Sequence, residues 1–189
     1  MDSFSKSFSH AVTSNLPIDA ECGKYYFEVK IISTGVRYRR EEIRIGISPE
    51  DVRKKEKSCY GNLMYSYDSI DGTAYVIRNK YHKPINCSKK RCGARNPCNN
   101  GGLCSGKRKK YGPKFSENDV IGCGIDFIKR TCFFTKNGKY LGVAFRNIDV
   151  TSKALWPTVH IPSYGKVKAN FSPTIGCHFF RPDVGMIVD

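Results

Sequence analysis

Apolar and polar residues alternate at short range along most of this chain, and no long amphipathic helical run is visible. Tyr25–Ile32 (YYFEVKII) reads as a strand. Ile43–Ser48 (IRIGIS) reads as another, with Ile43, Ile45 and Ile47 on one face. Leu63–Tyr67 and Thr73–Ile77 flank a link that contains Asp71-Gly72, a hairpin signal. Asn118–Phe127 (NDVIGCGIDF) follows, then Thr131–Lys136 and Lys139–Phe145, then Leu155–Ile161 and Lys166–Phe171 with Tyr164-Gly165 between them. Short strands joined by turns predict an all-β fold, an antiparallel sandwich or barrel.

The clearest turn lies in TCFFTKNGKYLGVAF, residues 131–145. β-Branched and aromatic residues suit a pleated surface. Asn137-Gly138 accepts positive φ at both central positions, as a two-residue type I′ hairpin requires. The flanks carry no helical period, which argues against a turn between two helices.

Length adds that one domain with a real core is the default for 189 residues. Eleven Tyr and eleven Phe supply aromatic mass for it. No window approaches the ~18 apolar residues of a membrane span. The start, MDSFSKSFSHAVTSNLPIDAE, has no apolar secretory core, and Met1–Ser14 is Ser-rich and weakly patterned. The net charge of +15 is uneven: no acidic residue lies between Asp71 and Glu117, an interval that carries +12.

That interval breaks the strand rhythm. Arg78–Lys114 is basic and cysteine-rich, and far longer than the about 4–6 residues of a typical connection. It reads as an insertion, either a stapled module or a loop without fixed structure. Its cysteines, Cys87, Cys92, Cys98 and Cys104, leave three readings open. They form two disulfides in an oxidising compartment; they hold zinc, though knuckle spacing is only partly met; or they stay reduced. CGARNPCNNGGLC resembles the first half of an epidermal-growth-factor-like module, but the second half is absent. Nine cysteines leave at least one outside any intramolecular pairing.

The strand texts AECGKYYFEVKI, IRIGIS, YGPKFSENDVIGCGIDF, TCFFTKNGKYLGVAF and LWPTVHIPSYGKVKANF, in this order, resemble the B30.2/SPRY domain of the Ran-binding-protein-M type. The resemblance is loose over Pro17–Ile77 and close over Tyr111–Phe180. It implies a bent antiparallel β-sandwich over residues 15–181, with a segment before it (1–14), a tail after it (182–189) and the insertion at 78–114. It also implies an adaptor that binds a protein or short peptide through loops at one end, often within ubiquitin-ligase or signalling scaffolds. It implies no enzyme and no cofactor. Stand-alone SPRY effectors secreted by plant-parasitic nematodes offer an alternative setting, as does an extracellular disulfide-stapled module. Family members usually have strands ahead of the segment equivalent to Asn15–Tyr25, so two readings stand: the first strand is missing, which leaves a sheet edge unpaired, or the chain is a fragment.

Carried onto this chain, the family's binding loops fall on Asn15 through Pro17, on Ser48 through Tyr60, on Tyr65 through Asp68, with Tyr65 and Tyr67 among them, and on Pro162, Ser163 and Tyr164. Tyr164 is the aromatic anchor of choice; the plainer reading is that it caps the sandwich edge. Tyr65 and Tyr67 share a strand face and fit the core better than a contact. Gly122 and Gly124 are read as relieving crowding where strands bend or sheets approach. Lys107, Arg108, Lys109 and Lys110 form a basic tetrad, either an import signal or acidic-partner patch, or a solvated charged loop. Nucleic acid is disfavoured, because no aromatic is interleaved between Lys89 and Lys110. The four histidines are scattered, and no nucleophile elbow, phosphate loop or HExxH motif is present. A cytoplasmic or nuclear setting is expected, or a secreted one if a signal peptide has been removed.

Overall fold

The computed structural model describes residues 10–35, 42–49, 64–78, 104–105, 108–150, 154–162 and 164–171. Twelve strands occur among them: β1 (His10–Thr13), β2 (Lys24–Ser33), β3 (Arg44–Ser48), β4 (Met64–Asp68), β5 (Thr73–Arg78), β6 (Cys104–Ser105), β7 (Lys109–Lys110), β8 (Val120–Asp126), β9 (Thr131–Lys136), β10 (Lys139–Arg146), β11 (Trp156–Ile161) and β12 (Lys166–Asn170). A 3-10 turn, Ala20–Cys22, leads into β2, capped by the Asp19 carboxylate on the Glu21 amide. All nine expected strands are present within two residues of their expected ends.

The strands form two antiparallel sheets. The larger runs β1-β11-β3-β4-β5, with β6 and β7 both on β5; the smaller runs β10-β9-β8-β2-β12. Facing residues of the two sheets make one core: Phe27, Val29 and Ile31 of β2, Ile121 and Ile125 of β8 and Phe134 of β9 against Ile45 and Ile47 of β3 and Val159 of β11. Alternation drives this, since a one-residue slip of any strand would turn its apolar set to the other face.

Tyr67 of β4 sits in the middle of this core, fully buried. Its ring lies 5.5 Å from Tyr111, 5.0 Å from Phe115 and 5.3 Å from Phe134. Its hydroxyl donates to the carbonyl of Pro113. Tyr111 in turn donates to the Gly142 carbonyl at 2.6 Å and accepts the Phe134 amide at 3.0 Å. The segment 111–115 thus crosses from the larger sheet to the smaller, stitched to β4, β9 and β10.

Asn137 (φ 52°) and Gly138 (φ 81°) both take positive φ and join β9 to β10, with Lys136 opposite Lys139, as the hairpin reading requires. The crowding at Gly122 and Gly124 has a source other than bending or sheet approach. Both face away from the core, and Tyr26 and Phe133 of the flanking strands lie across them, so a methyl group there would strike those rings.

Two expectations are corrected. The β11 edge is not left unpaired: β1 pairs with it over His10–Thr13, inside the stretch assigned to the leading segment. HAVT has too short a pattern to announce a strand; the neighbour's free edge defines it. Parts of the span 78–114, expected as an insertion, lie in the sheets. Cys104 pairs with Arg78 and Lys110 with Thr73, so 104–105 and 109–110 lie along the β5 edge, while Phe115 is in the core and Tyr111 packs against it.

Tyr67→Ala is expected to cost about 3–5 kcal/mol, because it empties a central aromatic site. Tyr67→Phe is expected to cost only about 1 kcal/mol, the worth of one hydrogen bond. Urea unfolding of both variants checks the ratio.

Candidate functional site

The end loops were the expected contact surface, and the register decides which ends they occupy. Asn15, Leu16 and Pro17 follow β1 and are exposed; the Ile18 amide bonds the Leu155 carbonyl at 2.7 Å, which holds this loop beside the start of β11. Pro162 and Tyr164 follow the other end of β11. Six residues of strand separate the two groups, about 17 Å at ~3.3 Å per residue. They do not form one patch.

Individual placements sharpen this. Ser48 lies opposite Trp156 and is completely buried, as is Tyr67, so neither presents a surface to a partner. Tyr65 is half-buried edge-on against Phe145, ring centres 5.4 Å apart. Its packing and that of Tyr67 fit the core alternative. Pro162 is buried, and Tyr164 is 80% exposed. Tyr60, Ser163, Lys107, Cys87, Cys92 and Cys98 lie outside the described residues, and so do the zinc and disulfide readings that rest on those cysteines; Cys104 is described only as a backbone partner of Arg78.

Tyr164 has a second property. The Gly165 amide bonds the Pro162 carbonyl at 2.9 Å, which closes a turn, and Tyr164 sits in it at φ 64°. Left-handed backbone suits Gly or Asn; a bulky residue there is strained by about 1–2 kcal/mol. The turn holds its ring out into solvent at that cost.

The basic tetrad is placed differently from a free charged loop. Lys109 and Lys110 are bonded into the ladder on Ala74 and Thr73. Arg108 stacks on the Tyr75 ring with its guanidinium carbon 4.4 Å from the centroid, and donates to Asp71 at 2.9 Å. Arg44, paired with Glu42, lies 5.8 Å from the same ring. Both guanidinium groups approach Asp68 at 4.0 Å. Tyr75 donates to Glu42 at 3.2 Å and Asp68 at 3.4 Å. Burial pushes the Asp68 carboxyl above its ordinary range, and pushes Tyr75 up to about 12. At Asp71 burial also pulls upward, but the Thr73 hydroxyl and amide and the Arg108 cation outweigh it and hold that carboxyl low. Asp68 ends an expected binding loop, whereas Glu42, Arg44 and Tyr75 carried no expectation from the sequence. The available signal was the charge on strand positions alternating with Ile45 and Tyr67, which puts Arg44 and Asp68 on the outward face.

Among the described residues no three of His, Cys, Asp and Glu are grouped to hold a metal ion, and no helix is long and apolar enough to cross a membrane.

Residues 24–174 match the model of the SPRY domain. The chain belongs to the SPRY family. It is therefore a protein-interaction module of β-sandwich form. It is 36% identical over 175 residues to Ran-binding protein 9 of Homo sapiens, which is 92% of this chain and 19% of that protein. It is 35% identical over 162 residues to the Ran-binding proteins 9/10 homolog of Drosophila melanogaster, 85% of this chain and 13% of the relative. The chain thus spans under a quarter of the length of these relatives. A solved human SPRY domain superposes with a TM-score of 0.55 at 21% identity, covering 90% of this chain and 89% of that one, and supports the fold.

Arg108→Met is expected to lower stability by no more than about 1 kcal/mol, since its side chain is 42% exposed and the pair is screened. A carboxyl held low in the folded state contributes at neutral pH and loses that contribution as pH falls through its folded pKa. The gap in melting midpoint between Arg108→Met and the parent should therefore narrow as pH is lowered through the acidic range. Because Arg78 and Cys104 face each other, replacing 79–103 by Asn-Gly is expected to leave a folded hairpin. Removing 78–110 also deletes β6 and β7 and should lower the melting midpoint further. Thermal melts of the two deletions test this.

Proposed function

We propose that this chain is a non-enzymatic adaptor that grips a protein or short peptide with the end bearing Tyr164. The carrying observation is the strained, 80% exposed Tyr164 in a closed turn. Strain of this kind concentrates at functional positions, and an aromatic anchor offers contact area at little entropic cost. The sandwich holds the turn between β11 and β12, so little ordering cost remains on binding. A reducing setting, cytoplasmic or nuclear, suits Cys123 and Cys132, which face each other as thiols with sulfurs 3.8 Å apart.

Tyr164→Gly separates binding from folding. Glycine accepts φ 64° without strain, so stability is expected to hold or rise by up to about 1 kcal/mol. Affinity capture with the intact chain should lose its specific partners in this variant and keep them in Leu16→Ser, a change at the opposite end. Partners retained by Tyr164→Gly, or lost on Leu16→Ser, would place recognition elsewhere.

A further inference from the structure

We propose that the Tyr164 end selects a partner segment that is acidic and carries a bulky apolar side chain; this rests on the reading of that end as the binding surface. Three of the exposed large apolar residues lie in the strand ends and turns of this end: Ile32 at the end of β2, Ile70 between β4 and β5, and Tyr164. Exposed lysines are set among them. Lys166 pairs with Ser33, one residue beyond Ile32. Lys139 precedes Tyr140 and faces Lys136 across the hairpin. Lys136 reaches back to the Lys114 carbonyl at 2.7 Å, and the next residue, Phe115, is bonded to Ser69 beside Ile70.

Charge is not balanced on this end. Lys109, Lys110, Lys114, Lys139 and Lys166 make no ion pair among the described residues. The acids beside them are already engaged: Asp119 with Lys136 at 3.0 Å, Asp71 with Arg108, and Glu117 with the Thr34 amide at 3.0 Å. An acidic segment supplies the missing counter-charge, and Ile32, Ile70 and Tyr164 supply places for an apolar anchor. A nucleic acid suits the surface less well, since Glu117, Asp119 and Asp71 interrupt any continuous phosphate track. Lysines also guard sheet edges against stray pairing. That role accounts for Lys109, Lys110 and Lys166, but not for Lys114, which lies in the segment crossing between the sheets.

The test uses the intact 189-residue protein to select from a random peptide library. Selected peptides should be rich in Asp and Glu around one large apolar residue. Their affinity should fall as salt rises from about 0.05 to about 0.3 M. Lys114→Glu/Lys166→Glu should weaken them about tenfold at unchanged melting temperature. An edge-guarding role would leave that affinity unchanged, because glutamate also carries charge. Peptides that need Tyr164 but show no acidic enrichment overturn the charge inference and leave the site standing. Acidic peptides indifferent to both Tyr164→Gly and the lysine reversal overturn the site itself. Oligothymidylate that binds more tightly than any selected peptide, and is lost in the same variants, replaces the peptide by nucleic acid.

Discussion

The fold depends on Tyr67 being held between the sheets. Its ring brings Tyr111, Phe115 and Phe134 together, and its hydroxyl fixes the Pro113 carbonyl. A polar hydroxyl in a core is costly unless satisfied, and here the acceptor comes from the chain that crosses between layers. The same contact therefore seals the core and anchors the segment that joins β7 to β8. Without it, residues 111–115 would lack a reason to pass under β10, and Tyr111 could not reach Gly142. The register of β9 and β10 near Phe134 leans on that one segment.

Two short strands widen the larger sheet at β5. Cys104–Ser105 and Lys109–Lys110 extend β5, and Arg108 locks the return against Tyr75 and Asp71. Six of the twelve excess cations lie within 79–103; the others, Arg78, Lys107–Lys110 and Lys114, lie at or beyond its feet. The chain's basicity is therefore partly a property of its scaffold. Lysines on β7 and β12 keep both sheet edges from recruiting further strands.

Tyr75 shows how polar the outward face of the larger sheet is. Two arginines and two carboxylates surround Tyr75, and Asp68 is buried among them. Burying charge is tolerable only with partners this close. The arrangement favours one path for the returning chain over others, since any shift of Arg108 uncovers Asp68 and Asp71 together.

The strands, the antiparallel class and the Asn137-Gly138 hairpin were legible in the residues alone, because side-chain alternation and turn chemistry are local. The family likeness was legible for the same reason: its wording lies in strands. Local pattern could not announce β1, whose four residues become a strand only against β11, nor the short strands Cys104–Ser105 and Lys109–Lys110, since pairing with β5 defines them. It could not sort the binding residues either. Asn15 and Tyr164 both sit in loops, and only strand register puts them at opposite ends of β11, while burial removes Ser48 and Tyr67 from the surface. The aromatic ring at Tyr164 was visible from the start; its strained backbone and the lysines around it arise from closure of the turn and the meeting of distant strands, which are properties of the folded chain.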